Sequence, residues 1–370
     1  MVDLQAQYQR IKRDIDAGIQ EVIDSAAFIK GPKVSAFQEH LEAYLGVKHV
    51  IPVGNGTDAL QIALMGLGLK PGDEVITPTF TFIATAEVVA LLGLTPVVVD
   101  VEWDTMNMDI DAVRRAITPR TKAIVPVHLF GQCANMEALM AIAEEHHLAI
   151  VEDACQAIGA TYTFSNGETK QAGTIGTIGC TSFFPSKNLG CYGDGGAIFT
   201  NDDALADRMR AIANHGCRVR YHHDEIGVNS RLDSIQAAIL DAKLPHLDEY
   251  IAARQRAAAY YDEAFKDCKA LLIPGREPSS SHVFHQYTLR VVGADRDQLR
   301  ESLAAKGIPA MIYYPVPLHQ QKAYRDPRYQ DGDFPVAERL AACVLSLPMH
   351  TELDREQLEY ITENVLDLLR

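Results

Sequence analysis

Lys187 stands in Thr181-Ser-Phe-Phe-Pro-Ser-Lys-Asn-Leu-Gly-Cys-Tyr-Gly-Asp-Gly-Gly196. An apolar, strand-like run from Gly179 to Phe184 stops at Pro185, and a second strand pattern begins at Ala197 and ends at Thr200. A lysine is poorly suited to a buried glycine-rich turn between core strands, because its charge must there be paired or lost. An amine held in such a place with a lowered pKa can form a Schiff base with an aldehyde. Taken alone, a loop lysine is more often simply solvated. The residues upstream reverse that preference. In Val151-Glu-Asp-Ala-Cys-Gln-Ala-Ile-Gly159 an acid, Asp153, ends another buried strand pattern, and Ser182 adds a hydroxyl.

A carboxylate, an amine and a hydroxyl at strand ends suit pyridoxal 5'-phosphate, meeting its ring nitrogen, aldehyde and phosphate respectively. The spacing Asp153-x-x-Gln156, then Ser182-Phe-Phe-Pro-x-Lys187, then Gly193-Asp-Gly-Gly196 resembles the sugar aminotransferases of the DegT/DnrJ/EryC1/StrS family. That resemblance runs from Asp3-Leu4 to Leu345-Ser-Leu-Pro-Met349. It implies a fold-type I pyridoxal phosphate aminotransferase acting on a nucleotide-linked keto sugar.

The elements that must position these groups follow from patterning. At 370 residues, 47% hydrophobic and 22% charged, the chain fits a large domain plus a smaller one. No apolar run reaches membrane-span length, and the first residues lack an apolar core with a cleavage site. A net charge of −15 argues against a nucleic-acid surface, which needs clustered cations. Seven scattered cysteines without a CxxC pair argue against a zinc site or a disulfide framework and suit a reducing cytoplasm.

Helical spacing from Leu4 to Ile23 predicts one amphipathic helix, and Val34 to Leu45 a second. Val50-Ile-Pro-Val-Gly-Asn-Gly-Thr-Asp58 reads as strand, turn and a helix start near Thr57, whose free N–H groups can bind phosphate or simply accept a cap. Strands are expected at 73–78, 95–101, 122–128 and 147–152, with helices between. This alternation predicts an α/β fold with a mostly parallel central sheet, helices on both faces, and ligands at the strands' carboxyl ends. Arg218 to Glu225 reads as a charged loop, and Pro245 interrupts a helical pattern from Ile235 to Phe265. A boundary there divides a cofactor-binding domain, 1–245, from a smaller α+β domain, 246–370. The latter is expected to hold strands at His285–Val292 and Pro309–Tyr314, a helix over 296–306 and two terminal helices.

The resemblance also implies roles. Lys187 carries the cofactor and shuttles the proton, Asp153 faces the ring nitrogen and Gln156 the ring hydroxyl. Gly56, Thr57 and Ser182 hold the phosphate, and Phe82 stacks on the ring, although any phenylalanine can equally be core. Family sites are shared across a homodimer, so Asn229 is the residue lent by the partner to the phosphate, or else a turn residue capping the next helix. Arg231 is a candidate for substrate anions, or else a surface ion pair. Tyr313, Tyr314 and His319 match a segment bordering the sugar, and many relatives have histidine where this chain has Tyr313.

The motifs look nearest to enzymes aminating C3 of UDP-linked 3-keto-N-acetylhexosaminuronic acids for surface polysaccharide, with glutamate as donor. Relatives acting at C4 of UDP- or dTDP-4-keto-6-deoxy sugars share most of them. A sugar 3-dehydratase would replace Lys187 with histidine, and a desulfurase would need a cysteine on a mobile loop. A regulatory protein retaining the fold would not require the Asp153, Gln156, Ser182 and Lys187 set.

Overall fold

A computed structural model describes residues 1–370. Its centre is a seven-stranded sheet in the spatial order His49–Val53, Gly196–Thr200, Ile178–Ser182, Ala149–Asp153, Thr121–Ile124, Glu74–Pro78, Thr95–Val99. The five strands from 178–182 to 95–99 pair in parallel. Strand Gly196–Thr200 runs antiparallel to both its neighbours. The sheet is therefore mostly parallel, as its alternation with helices predicts.

Side-chain alternation buries both faces. Val50, Ile76, Ile124, Ile150 and Phe199 point to one layer, with helices Pro32–Leu45, Met136–His146 and Ser234–Lys243. Their sequence neighbours Ile51, Val75, Ala123, Val151 and Ile198 point to the other, with helices Gly56–Gly66, Ala84–Leu91 and Asp203–Ile212. A third core lies toward the C-terminus. There helices Leu247–Phe265, Arg296–Ala305 and Arg355–Leu368 cover an antiparallel sheet of Leu271–Leu272, Tyr287–Val291 and Val344–Leu347. Phe80, Phe130, Leu340 and Val344 join this part to the large sheet.

Several local expectations change. The first helix is two, Leu4–Arg10 and Lys12–Ser25, meeting at Ile11, which packs inward with Ile15 and Ile239. The charged segment after Gly216 contains a short hairpin, Cys217–Val219 with His222–His223. Pro309 to Tyr314 is not a strand. Met311 alone exchanges two backbone bonds with Ser346, at 3.0 and 2.7 Å, and on one side the next hydrogen-bonding position is Pro309, which has no N–H to extend the ladder. The released chain runs instead to the edge of the large sheet. An additional strand, Val344–Leu347, precedes the last helix.

Candidate active site

The strands ending at Asp153 and Ser182 are parallel neighbours, with Asp153 opposite Cys180, so both polar groups emerge at the same carboxyl edge. From Ser182 the chain enters the glycine-rich loop. That loop is closed by Phe183 N–H donating to Gly195 O at 2.7 Å and Cys191 N–H to Phe183 O at 2.8 Å. Lys187 lies at its turn, where its N–H donates to Phe184 O at 2.8 Å. Beside this edge begins helix Gly56–Gly66, capped by Asn55, whose side chain accepts from Asp58 N–H at 2.8 Å. The amides of Gly56 and Thr57 head the helix and have no intrahelical acceptor.

Two glycines permit this approach. A Cβ on Gly56 would stand 2.7 Å from Ser182 Cβ, and one on Gly196 would stand 2.4 Å from the carbonyl carbon of Asn55. Helix start, strand end and lysine loop therefore press together around one cavity of about 620 Å³. It is lined by Gly56, Thr57, Phe82, Asp153, Gln156 and Ser182, and also by Lys187, Tyr313 and Tyr314.

Asp153 is buried, and its Oδ2 accepts from Thr85 Oγ1 at 2.8 Å while Oδ1 accepts from Cys155 N–H at 3.2 Å. Behind it, Glu152 points to the opposite side of the strand and accepts from the N–H groups of Gly173, Ile175 and Gly176 and from His128 Nε2. Gln156 accepts from Phe130 N–H at 2.8 Å and donates to the Tyr314 hydroxyl at 3.1 Å. Burial lowers the Lys187 pKa, against the opposing influence of Cys155 and Asp153. Burial raises the Tyr314 and Tyr313 hydroxyls. Phe82 is 54% exposed into this opening, whereas Phe80 is wholly buried, so Phe82 is a cavity wall and not core.

Three expected residues lie elsewhere in the subunit. His319 is closed off from the cavity: Nδ1 meets Thr79 Oγ1 at 2.8 Å and Nε2 meets Glu338 Oε1 at 3.1 Å. It braces the strand end before Phe80 and Phe82. Asn229 is exposed and bridges to Asn214; the next helix begins after Asp233, so Asn229 is not its cap. Arg231 is half-buried outside the cavity and takes no part in the subunit's arginine ion pairs. Between them Ser230 turns inward, accepting from Gly54 N–H at 2.9 Å and donating to Asp58 at 2.6 Å. Thr85, Cys155 and His285 are site residues that patterning did not single out. Only the polar-rich helix start Thr79 to Thr85 hinted at the first of them.

An amine, an acid at a neighbouring strand end and a helix N-terminus around one cavity define a pyridoxal phosphate enzyme of the aminotransferase fold. The residues fit that group: an acid and an amine line the same opening, unpaired amides head a helix, and an aromatic side chain stands exposed. The chain belongs to the DegT/DnrJ/EryC1/StrS aminotransferase family, whose model matches residues 9–366. It is a pyridoxal phosphate-dependent aminotransferase.

It is 49% identical over 97% of both chains to the UDP-2-acetamido-2-deoxy-3-oxo-D-glucuronate aminotransferase of Pseudomonas aeruginosa. It is 47% identical, over 98% of this chain and 95% of the other, to the UDP-N-acetyl-3-dehydro-alpha-D-glucosamine 3-aminotransferase of Acidithiobacillus ferrooxidans. At 47% over 100% of this chain and 98% of the other, it also matches a pleiotropic regulatory protein of Geobacillus stearothermophilus. The solved structure of NtdA from Bacillus subtilis, with bound pyridoxamine phosphate, superposes with a TM-score of 0.88 at 32% identity, over 97% of this chain and 82% of that one.

Proposed function

We propose that the chain moves the amino group of glutamate to C3 of a UDP-2-acetamido-2-deoxy-3-keto-hexuronic acid. Its product would be a 3-amino uronate for surface polysaccharide such as O-antigen. The 49% likeness to a UDP-3-oxo-glucuronate aminotransferase over nearly the whole chain carries this reading. Seven free cysteines suit a reducing compartment and support a cytoplasmic enzyme.

Pyridoxal phosphate, when bound, would supply an aldehyde to carry the amino group and an electron-withdrawing ring. The chain supplies the rest. Lys187 Nζ would hold the aldehyde, and as a free amine it would move the proton as base and then acid. Asp153, fixed by Thr85, balances the ring nitrogen, and Gln156 meets the ring hydroxyl. Gly56, Thr57 and Ser182 receive the phosphate at the helix start. Phe82 covers one ring face. Asn229 and Arg231 serve the site of a partner subunit in a homodimer, which accounts for their position outside their own cavity. Asn229 meets the phosphate there and Arg231 the sugar's C6 carboxylate, while Tyr313 and Tyr314 border the sugar.

A second reading has support of its own. The relative acting on a 3-dehydro glucosamine has 47% identity, and by its name that substrate lacks the C6 carboxylate. Deamination of 3-amino products with 2-oxoglutarate separates the two. The uronate should react and the 3-amino glucosamine should not, and Arg231→Ala should cripple uronate turnover while leaving reaction with glutamate nearly intact. A protein that prefers the neutral sugar, or a UDP- or dTDP-linked 4-amino-6-deoxy sugar, overturns the proposal. A regulator without catalysis would bind cofactor and show no absorbance change with glutamate.

A further inference from the structure

The rim of the cavity carries two exposed side chains that no other group of the subunit engages. Phe184 is 53% exposed and has no aromatic or cationic neighbour, unlike Phe82, which leans on Tyr314 at 6.2 Å between ring centroids. Asp194 is exposed, and its carboxylate takes part in no hydrogen bond or ion pair. The other two acids of the wall are occupied: Asp58 accepts from Ser230 Oγ at 2.6 Å, and Asp153 from Thr85 and the Cys155 amide.

The fold brings these two together. Gly196 lies opposite Ser182 in the antiparallel pair, and Phe183 N–H, donating to Gly195 O at 2.7 Å, carries the register one residue further. Phe183 is wholly buried, with its ring against Phe37 at 5.4 Å between centroids. Alternation therefore sends Ser182 and Phe184 to the face away from that core, which is the cavity. Asp194, two residues before Gly196, comes to the same wall from the other side of the loop. Both sides are pinned. Phe184 N–H donates to Ser182 Oγ at 3.3 Å, while Tyr192 N–H donates to Gln236 Oε1 at 2.8 Å and its carbonyl accepts from Gln236 Nε2 at 3.3 Å. The backbone is thus fixed while the ring and the carboxylate stand free.

Charge decides what can lie against them. Glutamate, a uronate carboxylate and a diphosphate are all anionic, and an unpaired carboxylate repels each of them. A nucleoside is uncharged, presents ribose hydroxyls as donors to a carboxylate, and offers a flat base to an aromatic face. An acid on the ribose hydroxyls and a ring on the base are contacts by which proteins of unrelated fold hold nucleotides. The reacting carbon must come to Lys187, so the nucleoside, at the far end of a nucleotide-linked sugar, is the part that reaches the exposed rim.

We propose that Phe184 and Asp194 form a subsite for the substrate's nucleoside, the Phe184 ring stacking on the base and the Asp194 carboxylate accepting from the ribose hydroxyls. The proposal deepens the reading of the substrate as a UDP-linked sugar and rests on it.

Calorimetric titration of the holoenzyme with UDP, and with inorganic pyrophosphate, which lacks the nucleoside, tests it. Wild type should bind UDP the more tightly, and Phe184→Ala should narrow that ratio about tenfold, the worth of one base stacked on an aromatic ring. Phe184→Tyr, which keeps a ring, should hold the wild-type ratio. Wild type should also bind UDP about tenfold more tightly than its 2',3'-dideoxy analogue, and Asp194→Ala should bind the two alike. Equal binding of UDP and pyrophosphate by wild type overturns the proposal, as does a ratio that survives Phe184→Ala. A Phe184→Ala chain that separates into subunits at an unchanged ratio also overturns it and makes the ring a subunit contact. An Asp194→Ala chain that still favours UDP over the dideoxy analogue overturns the ribose contact. Failure of the substrate reading shows differently: the 3-amino uronate then stays unreacted with 2-oxoglutarate while the binding ratios behave as expected.

Discussion

Glu152 and His128 meet at 2.8 Å with neither side chain reaching solvent. His128 Nδ1 accepts from Ala134 N–H at 3.2 Å, which leaves Nε2–H to donate to the carboxylate. Three further N–H groups, of Gly173, Ile175 and Gly176, point at the same two oxygens at 2.6 to 2.8 Å. Four donors around one carboxylate set the position of the strand end, and with it Asp153 on the other side. Glu152→Gln would turn an NH₂ donor toward these donors. Each buried donor left unmet is expected to cost about 1–3 kcal/mol, read as a lower urea midpoint, with cofactor retention falling in parallel.

Lys187 is expected to carry the cofactor. Borohydride reduction followed by peptide mapping should place a pyridoxyl group on Lys187 alone. Lys187→Ala should still bind pyridoxal phosphate through Asp153 and the helix start. Its turnover should fall by about 10²–10⁴-fold or more, the contribution of a positioned proton carrier.

Asn229, exposed on its own subunit and outside its own cavity, bears on assembly. Mixing inactive Lys187→Ala chains with inactive Asn229→Ala chains should restore activity, up to about a quarter of normal sites after random reassortment of a two-fold dimer. Mixed chains that exchange subunits yet stay inactive would count against shared sites.

Lys243 bears on pH dependence. It is buried to 1% exposure, donates Nζ to Gly190 O at 2.7 Å, and lies over the Tyr192 ring. Burial lowers its pKa from 10.5 to about 8, opposed by Cys191. The unfolded chain therefore binds more protons than the folded one between these values, and stability contributed at this position rises with pH from about 8 toward 10.5. The full swing is on the order of 3 kcal/mol. Denaturant unfolding of wild type and Lys243→Met across this range should show the rise in wild type only. A parallel pair of curves would exclude it.

The central seven-stranded sheet was legible in the sequence because its order is local. Strands such as Val50 to Val53 and Ile150 to Asp153 alternate between two apolar layers, and glycine, proline and polar residues mark where each stops. In a parallel sheet those stops gather at one edge, which groups Asp153, Ser182 and Lys187, while Gln156 joined them only through the resemblance to the family. Contacts between distant segments carry no such periodicity and were decided by tertiary packing alone. Thr85 reaches Asp153, Tyr314 reaches Gln156, and Asn188 reaches Val283, each across many intervening residues. Packing also sets His319, which the resemblance to the family implies borders the sugar, outside the lining of the cavity. The pull of Thr79 and Glu338 on its two ring nitrogens closes it into the wall. The single pair at Met311 likewise depends on Ser346 of a distant strand, Val344–Leu347. A sequence states which side chains need burial or a partner; which distant group meets that need depends on how the finished layers pack.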